Sequence, residues 1–163
     1  MSTNKMIEPI NYTNICTFLK ENYENLSIIK KKYLELCEKL SDSPDISEYL
    51  FIKNILKINE NGLMMIAYVG DPTTPHFDIV STGTVFIESK IIHGGKSAAH
   101  IEDIIVHEKY RGNGIARCIV ETLKSYAEEN GCYKIILNCS ESVKPVYEKC
   151  GFSQKGLQMA LYF

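Results

Sequence analysis

Between Ala98 and Cys139 the chain runs through three patterns that constrain one another. Ala98 to His107 is an apolar, β-branched stretch that predicts a strand. It meets the turn Tyr110-Arg111-Gly112-Asn113-Gly114, and an amphipathic helix follows, with Ile115, Ile119, Leu123 and Tyr126 on one face. Asn130-Gly131 provides a left-handed stop, and Tyr133 to Cys139 is then a nearly continuous apolar run, the pattern of a buried central strand. A strand, a glycine-bearing turn, a helix and a second strand in this order require a sheet with helices packed on it.

The flanking segments extend that sheet. Helical spacing of Ile28, Ile29, Tyr33, Leu36, Cys37 and Leu40 predicts a helix over Leu26 to Leu40, stopped by Pro44. A second helix is expected from Ser47, its N-cap, to about Ile58. Turn clusters at Asn59-Glu60-Asn61-Gly62 and Asp71 to Pro75 bracket a strand over Leu63 to Val69, and Phe77 to Ile92 predicts a long strand broken at His93-Gly94-Gly95. A short helix over Val143 to Lys149 ends at Gly151, and a last strand closes the chain. The expected fold is α/β (α+β): one domain over residues 1–163, a mixed central sheet flanked by helices, with residues 1–25 an ill-defined lead.

Charge and composition exclude several function classes. With 18 Lys+Arg against 20 Asp+Glu the net charge is −2, which lacks the basic excess of a dedicated nucleic-acid binder. A hydrophobic content of 45% with 23% charged residues excludes a disordered or collagen-like chain. The N-terminal stretch has no apolar leader, and runs such as Leu63–Val69 are too short to span a bilayer, so no membrane association is expected. The six cysteines (Cys16, Cys37, Cys118, Cys132, Cys139, Cys150) form no C-x-x-C pair and are read as free, mostly buried thiols of a cytoplasmic protein.

The chemistry is concentrated in Arg111-Gly112-Asn113-Gly114-Ile115-Ala116. Glycines between a strand and a helix allow backbone N–H groups close to a ligand, and the helix N-terminus adds partial positive charge. The result is a cradle for a pyrophosphate. Neither G-x-x-x-x-G-K-[ST] nor G-x-G-x-x-G is present, so the cradle suits coenzyme A better than a nucleoside triphosphate or a dinucleotide.

R-x-x-G-x-A (Arg111 to Ala116) after the strand Ile101–Val106 resembles the acetyl-CoA signature of the GNAT acetyltransferase superfamily. Val146-Tyr147-Glu148-Lys149-Cys150-Gly151-Phe152 resembles its second landmark, a tyrosine-bearing helix before Gly-Phe. Lys90-Ile91-Ile92-His93, His100-Ile101-Glu102-Asp103-Ile104 and Gly131-Cys132-Tyr133-Lys134-Ile135-Ile136-Leu137 resemble, more narrowly, the glucosamine-6-phosphate N-acetyltransferases of that superfamily. The likeness is strong from Val80 onward and weak over Tyr33 to Leu50.

This resemblance implies direct acetyl transfer from acetyl-CoA to the amine of glucosamine 6-phosphate, without an acyl-enzyme or a metal, in a homodimer. Backbone groups of Ile104, Ile105 and Val106 would pair with the pantetheine arm, and Arg111, Gly112, Asn113, Gly114, Ile115, Ala116 and Arg117 would take the pyrophosphate. Glu102, Asp103, Tyr147 and Asn138 would be the catalytic set, with Tyr147 facing the thioester sulfur. Ser41, Lys90, Ile91, Ile92, His93, Tyr133 and Lys134 would join Glu102, Asp103 and Asn138 around the sugar phosphate, some of them serving the partner's site.

Side-chain alternation qualifies the acidic pair. Neighbours on a regular strand point to opposite faces, so either a bulge re-aims Glu102 or Asp103, or one reaches the sugar from the other side. Cys139 and Cys150 are expected to be core thiols, and Lys30-Lys31-Lys32 a solvated helix face. His93, His100 and His107 recur every seven residues, but the intervening glycines and the odd spacing do not make a metal site. The family's acidic residue is replaced by Asn138, which cannot take up a proton. Val143 stands for its asparagine, and Tyr162 for an arginine that grips phosphate. A different amine (a protein N-terminus, lysine or polyamine) is the alternative acceptor, and a non-catalytic acyl-CoA sensor the alternative class.

Overall fold

The computed structural model describes residues 8–163. Residues 1–7 of the N-terminal lead lie outside the described residues. The remainder of that lead is ordered where no pattern was read: β1 (Asn11–Asn14) pairs with the sheet and α1 (Ile15–Glu21) follows it, capped by Asn14 Oδ1, which accepts from Cys16 N at 2.7 Å. Next come α2 (Leu26–Cys37), α3 (Glu48–Glu60), β2 (Gly62–Val69), β3 (Asp78–Glu88), β4 (Ala98–Val106), α4 (Ile115–Glu129), β5 (Lys134–Leu137) and α5 (Lys144–Glu148). Ser47 Oγ caps α3 by accepting from Leu50 N at 3.1 Å.

The five strands lie in the order β1-β2-β3-β4-β5, antiparallel up to β4, with β5 parallel to β4. Period-two alternation along β2 explains both layers. Met64 and Ile66 face α1, α2 and α3 through Phe18, Ile29, Tyr33, Phe51 and Ile55. Met65, Ala67 and Val69 face the other way, toward Ile115, Ile119 and Leu123 of α4. Fully burying side chains such as Ile119 and Leu123 contributes roughly 1.5–3 kcal/mol each, which fixes α4 and hence the turn before it. No helix among the described residues is long and apolar enough to cross a membrane.

Several expectations are corrected. β3 ends at Glu88 rather than Ile92, because the chain turns there toward Gly94 and Gly95, both with positive φ. The apolar run from Tyr133 gives a four-residue edge strand, not a buried central one; Lys134 and Ile136 are exposed. The last strand is absent, and Gln154 to Phe163 run exposed without regular structure. Among the described residues no strand lies beyond β5, which leaves it at the edge of the sheet. Of the cysteines only Cys150 is buried; Cys118 and Cys139 are exposed, and no disulfide occurs among the described residues. The lysine run is not uniformly solvated either, since Lys30 is 8% exposed and ion-paired.

Candidate active site

β4 and β5 part company halfway along. Their pairing covers Ala98 to Ile101 against Lys134 to Leu137 and then stops, while β4 continues to Val106 with β3 alone beside it. The far edge of Glu102 to Val106 therefore presents backbone N–H and C=O groups with no strand to receive them.

A bulge shapes the same stretch. Thr82 pairs with Ile105 and Thr84 with Glu102, so Gly83 alone opposes both Asp103 and Ile104. Asp103 takes φ +53°, in the left-handed region. The bulge breaks the strand's alternation, and Glu102 and Asp103 both line the cleft that opens here. Burial, and next the charge of Asp103, holds the Glu102 carboxyl above its ordinary range, with His100 pulling weakly the other way.

The turn before α4 closes one end of the cleft. Gly112 and Gly114 have φ +81° and +75°, and a Cβ on either would meet open space, so the backbone is bare toward the cleft. No side chain caps α4, which leaves its first-turn N–H groups available to an anion. Arg111 Nε donates to Val106 O at 3.2 Å, tying the turn to the end of β4. Asn113 turns inward instead: its Nδ2 donates to Tyr110 O at 2.9 Å, and the residue is not part of the cleft lining.

α5 supplies the opposite wall. Tyr147 packs edge-on against Phe152 with ring centroids 6.1 Å apart, and burial is the main reason its phenol is held above the usual range. Lys124 Nζ donates to Cys150 O at 2.8 Å and fastens the end of α5 to α4. Asn138 leads from β5 into this wall. The cleft between these walls has a volume of about 940 Å³.

Of the expected site residues, the cleft gathers Glu102 to Val106, Arg111, Gly112, Gly114 to Arg117, Asn138 and Tyr147. Lys39, Leu40, Tyr110, Cys139, Ser140, Val143, Val146, Lys149 and Cys150 line it without having been anticipated. Cys139 is thus an exposed cleft thiol, not a core one. Its place at the end of an apolar run suggested burial, and only the early end of β5 undoes that. Nothing in the spacing of Lys39 and Leu40 identifies them, because the bend after α2 brings them in.

Ser41, Lys90, Ile91, Ile92, His93, Tyr133 and Lys134 do not line the cleft. Four of them gather at the other end of β4 and β5. The His93 and Tyr133 rings lie 4.2 Å apart, Lys134 Nζ stands 5.4 Å over the Tyr133 ring, and Lys90 Nζ is 2.6 Å from Glu88 Oε1. His100 Nε2 meets the second oxygen of Glu88 at 2.8 Å. Four residue steps along β4 take Ala98, the partner of Lys134, to Glu102, roughly 13 Å away. The three regularly spaced histidines go to three different places, His107 accepting from Lys109 N at 3.2 Å.

A parted pair of parallel strands, a bulge and an uncapped helix after a glycine turn make up the architecture of an acyl-CoA-dependent transferase. The chain belongs to the acetyltransferase (GNAT) family, whose model matches residues 29–152. It is 36% identical over 137 residues to a protein of Oryza sativa subsp. japonica described as a probable glucosamine 6-phosphate N-acetyltransferase 2, covering 82% of this chain and 81% of that one. It is 35% identical over 134 residues to the glucosamine 6-phosphate N-acetyltransferase of Arabidopsis thaliana, covering 82% and 89%. The crystal structure of the Arabidopsis thaliana glucosamine-6-phosphate N-acetyltransferase is similar, with a TM-score of 0.81 at 29% identity over 96% of this chain and 99% of that one.

Proposed function

We propose that this chain, acting as a single domain, transfers the acetyl group of acetyl-CoA to the 2-amino group of D-glucosamine 6-phosphate. The products are N-acetyl-D-glucosamine 6-phosphate and CoA, and the reaction feeds UDP-N-acetylglucosamine synthesis in the cytoplasm. The observation that carries the reading is the convergence, in one cleft, of the unpaired β4 edge, the uncapped start of α4, the Glu102–Asp103 bulge and Tyr147.

Acetyl-CoA suits these residues. Its pantetheine amides match the open edge of Ile104 to Val106 as an added strand would, with Ile105 O turned to Ser81 Oγ on the β3 side and Val106 O already accepting from Arg111 Nε. Its pyrophosphate matches the N–H groups of Gly112 to Arg117, where the glycine positions leave open space. Acetyl-CoA brings the activated thioester, so the protein needs no nucleophile of its own. Glu102 and Asp103 hold the sugar hydroxyls and the amine, Asn138 orients the amine, and the Tyr147 hydroxyl donates a hydrogen bond to the departing sulfur. As the N–C bond forms the C–S bond breaks, the amine gives up a proton, and the thiolate gains one.

The groups that remain outside the cleft fit a homodimer. Lys90, which is paired with Glu88, and His93, Tyr133 and Lys134, with the neighbouring Ile91 and Ile92, lie beyond the cleft of their own chain and would face that of a partner. Ile91 is 97% exposed, as expected of a residue awaiting a neighbour. Ser41, next to the cleft residue Leu40, would complete the phosphate side.

The test is CoA release with glucosamine 6-phosphate, glucosamine, spermidine and a lysine peptide as acceptors. Turnover confined to the phosphorylated sugar is the expected result. Turnover with the peptide or spermidine in its place would overturn the acceptor, and none with any would overturn the enzyme reading.

A further inference from the structure

The three consecutive lysines of α2 have different environments. Lys31 reaches outward, whereas the Lys30 ammonium lies 2.7 Å from Asp45 Oδ1 and donates a second hydrogen bond to the Ile46 carbonyl. An ammonium this deeply covered is costly unless it is paired and hydrogen-bonded. Lys30 obtains both from the same place, the segment 38–47 that joins α2 to α3.

That segment has no helix or strand beyond the last turn of α2, and most of it faces solvent. Its first half enters the cleft, where Lys39 and Leu40 form part of the wall. Lys39 N, Leu40 N and Ser41 N donate back to the carbonyls of Leu36 and Cys37, and beyond them the ties are light: the Glu38 carboxylate accepts from Ser43 N at 3.2 Å, and Ser43 Oγ donates to Ser41 O at 2.9 Å. Lys39 Nζ reaches Glu108 Oε1 at 3.4 Å, an exposed ion pair that contributes little. The far end is anchored by Ile46, packed against the core, by the Ser47 cap of α3, and by the Lys30 ammonium, whose hydrogen bond keeps the Asp45 carboxyl below its ordinary range. If the segment lifts away, Lys30 is stranded without its carboxylate.

We propose that Lys30 and Asp45, neither of which touches the cleft, are positioning residues that hold segment 38–47 as one wall of the cleft, so that affinity for the amino sugar phosphate depends on this pair. The proposal rests on the function proposed above for the acceptor's identity. Freed at Asp45, the segment spreads over several positions, and misplacement by about 1 Å is enough to weaken a positioned contact substantially. The pyrophosphate cradle before α4 is built from other elements and keeps its geometry.

Asp45→Asn is the decisive variant, because Asp45 is exposed on its outer side and the change removes charge without removing volume. The expected result is a rise of about fivefold or more in KM for glucosamine 6-phosphate, with kcat and KM for acetyl-CoA within about twofold of wild type. Asp45→Glu should recover most of the loss, and Lys30→Met should reproduce it. Hydrogen exchange of the wild-type and Asp45→Asn proteins, without any acceptor, should show faster exchange at the hydrogen-bonded amides of Ser41 and Ser43 and unchanged exchange in β4. Unchanged exchange there would overturn the clamp. Faster exchange with an unchanged acceptor KM would overturn its role in positioning. A wild-type protein inactive on glucosamine 6-phosphate would instead overturn the acceptor assignment, with the clamp still judged by exchange.

Discussion

A Cβ placed on Gly83 would lie 2.4 Å from Ile104 Cδ1, and 2.7 Å from Ile119 Cγ2 behind it. The bulge that turns Glu102 and Asp103 into the cleft therefore depends on a residue without a side chain on the neighbouring strand. Gly83→Ala should push Ile104 outward and destabilise the protein by about 1–3 kcal/mol, the usual cost of overpacking a core. It should also lower kcat/KM in the part of the population that remains folded at 25 °C. Thermal unfolding together with initial rates checks this, and a wild-type melting temperature with wild-type rates would mean that the bulge tolerates a methyl group.

Asp103 is visible in the sequence as one of an adjacent acidic pair, but its orientation is not. Alternation alone leaves it open which carboxylate enters the cleft, and the answer lies in the two-against-one register with Gly83. The helix–turn–strand unit from Arg111 onward was legible because glycine, amphipathic period and apolar run agree with one another. The end of β5 was not, since Ile135, Ile136 and Leu137 look the same whether the strand has one neighbour or two. Lys30 was misread for a related reason. A lysine in a run of three reads as solvated, and its burial comes from a segment fifteen residues further on.

Gly112→Val should raise KM for acetyl-CoA by about tenfold or more, equivalent to about 1.4 kcal/mol of lost binding. The side chain would occupy the open space over the turn, and φ +81° is costly for a β-branched residue. KM for the acceptor should change little. Steady-state kinetics with each substrate varied in turn separates the two effects, and unchanged acetyl-CoA kinetics would remove the pyrophosphate from this turn.

Tyr147 keeps its proton at neutral pH, because burial first and the neighbouring Cys139, Cys150 and Glu102 next all disfavour the phenolate. Tyr147→Phe preserves the ring packed on Phe152 and removes only the hydroxyl. A loss of about 10²-fold in kcat is expected, the scale of one donor to developing negative charge, with acetyl-CoA KM nearly constant. Wild-type turnover by this variant would exclude the hydroxyl as donor to the sulfur.

The raised Glu102 carboxyl gives a pH signature. Proton uptake by Glu102 should produce an acid limb in kcat/KM above the range of an ordinary glutamate. Asp103→Asn removes a neighbouring negative charge, which favours the Glu102 carboxylate and lowers its pKa. The limb should therefore move to lower pH even though the absolute rate falls. A limb that stays in place, measured over matched ionic strength, would show that a different group sets it.

Leu157, Met159, Leu161 and Phe163 alternate along the tail, and all four are exposed. A strand would put all four on one face. β5 meanwhile has β4 on one side and an open edge on the other. In the homodimer proposed above, a second copy would supply what each lacks, and Lys134 and His93 would serve the partner's cleft. Deleting residues 157–163 should yield a monomer by light scattering, with acetyl-CoA binding retained and acceptor KM raised. Mixing the impaired Lys134→Ala and Gly112→Val proteins at low acetyl-CoA extends the test: each mixed dimer should regain one fully working cleft, since the intact glycine turn and the intact lysine then come from different chains. An unchanged mass after truncation would sink the tail as the dimer element, and no recovery on mixing would return Lys134 to its own chain.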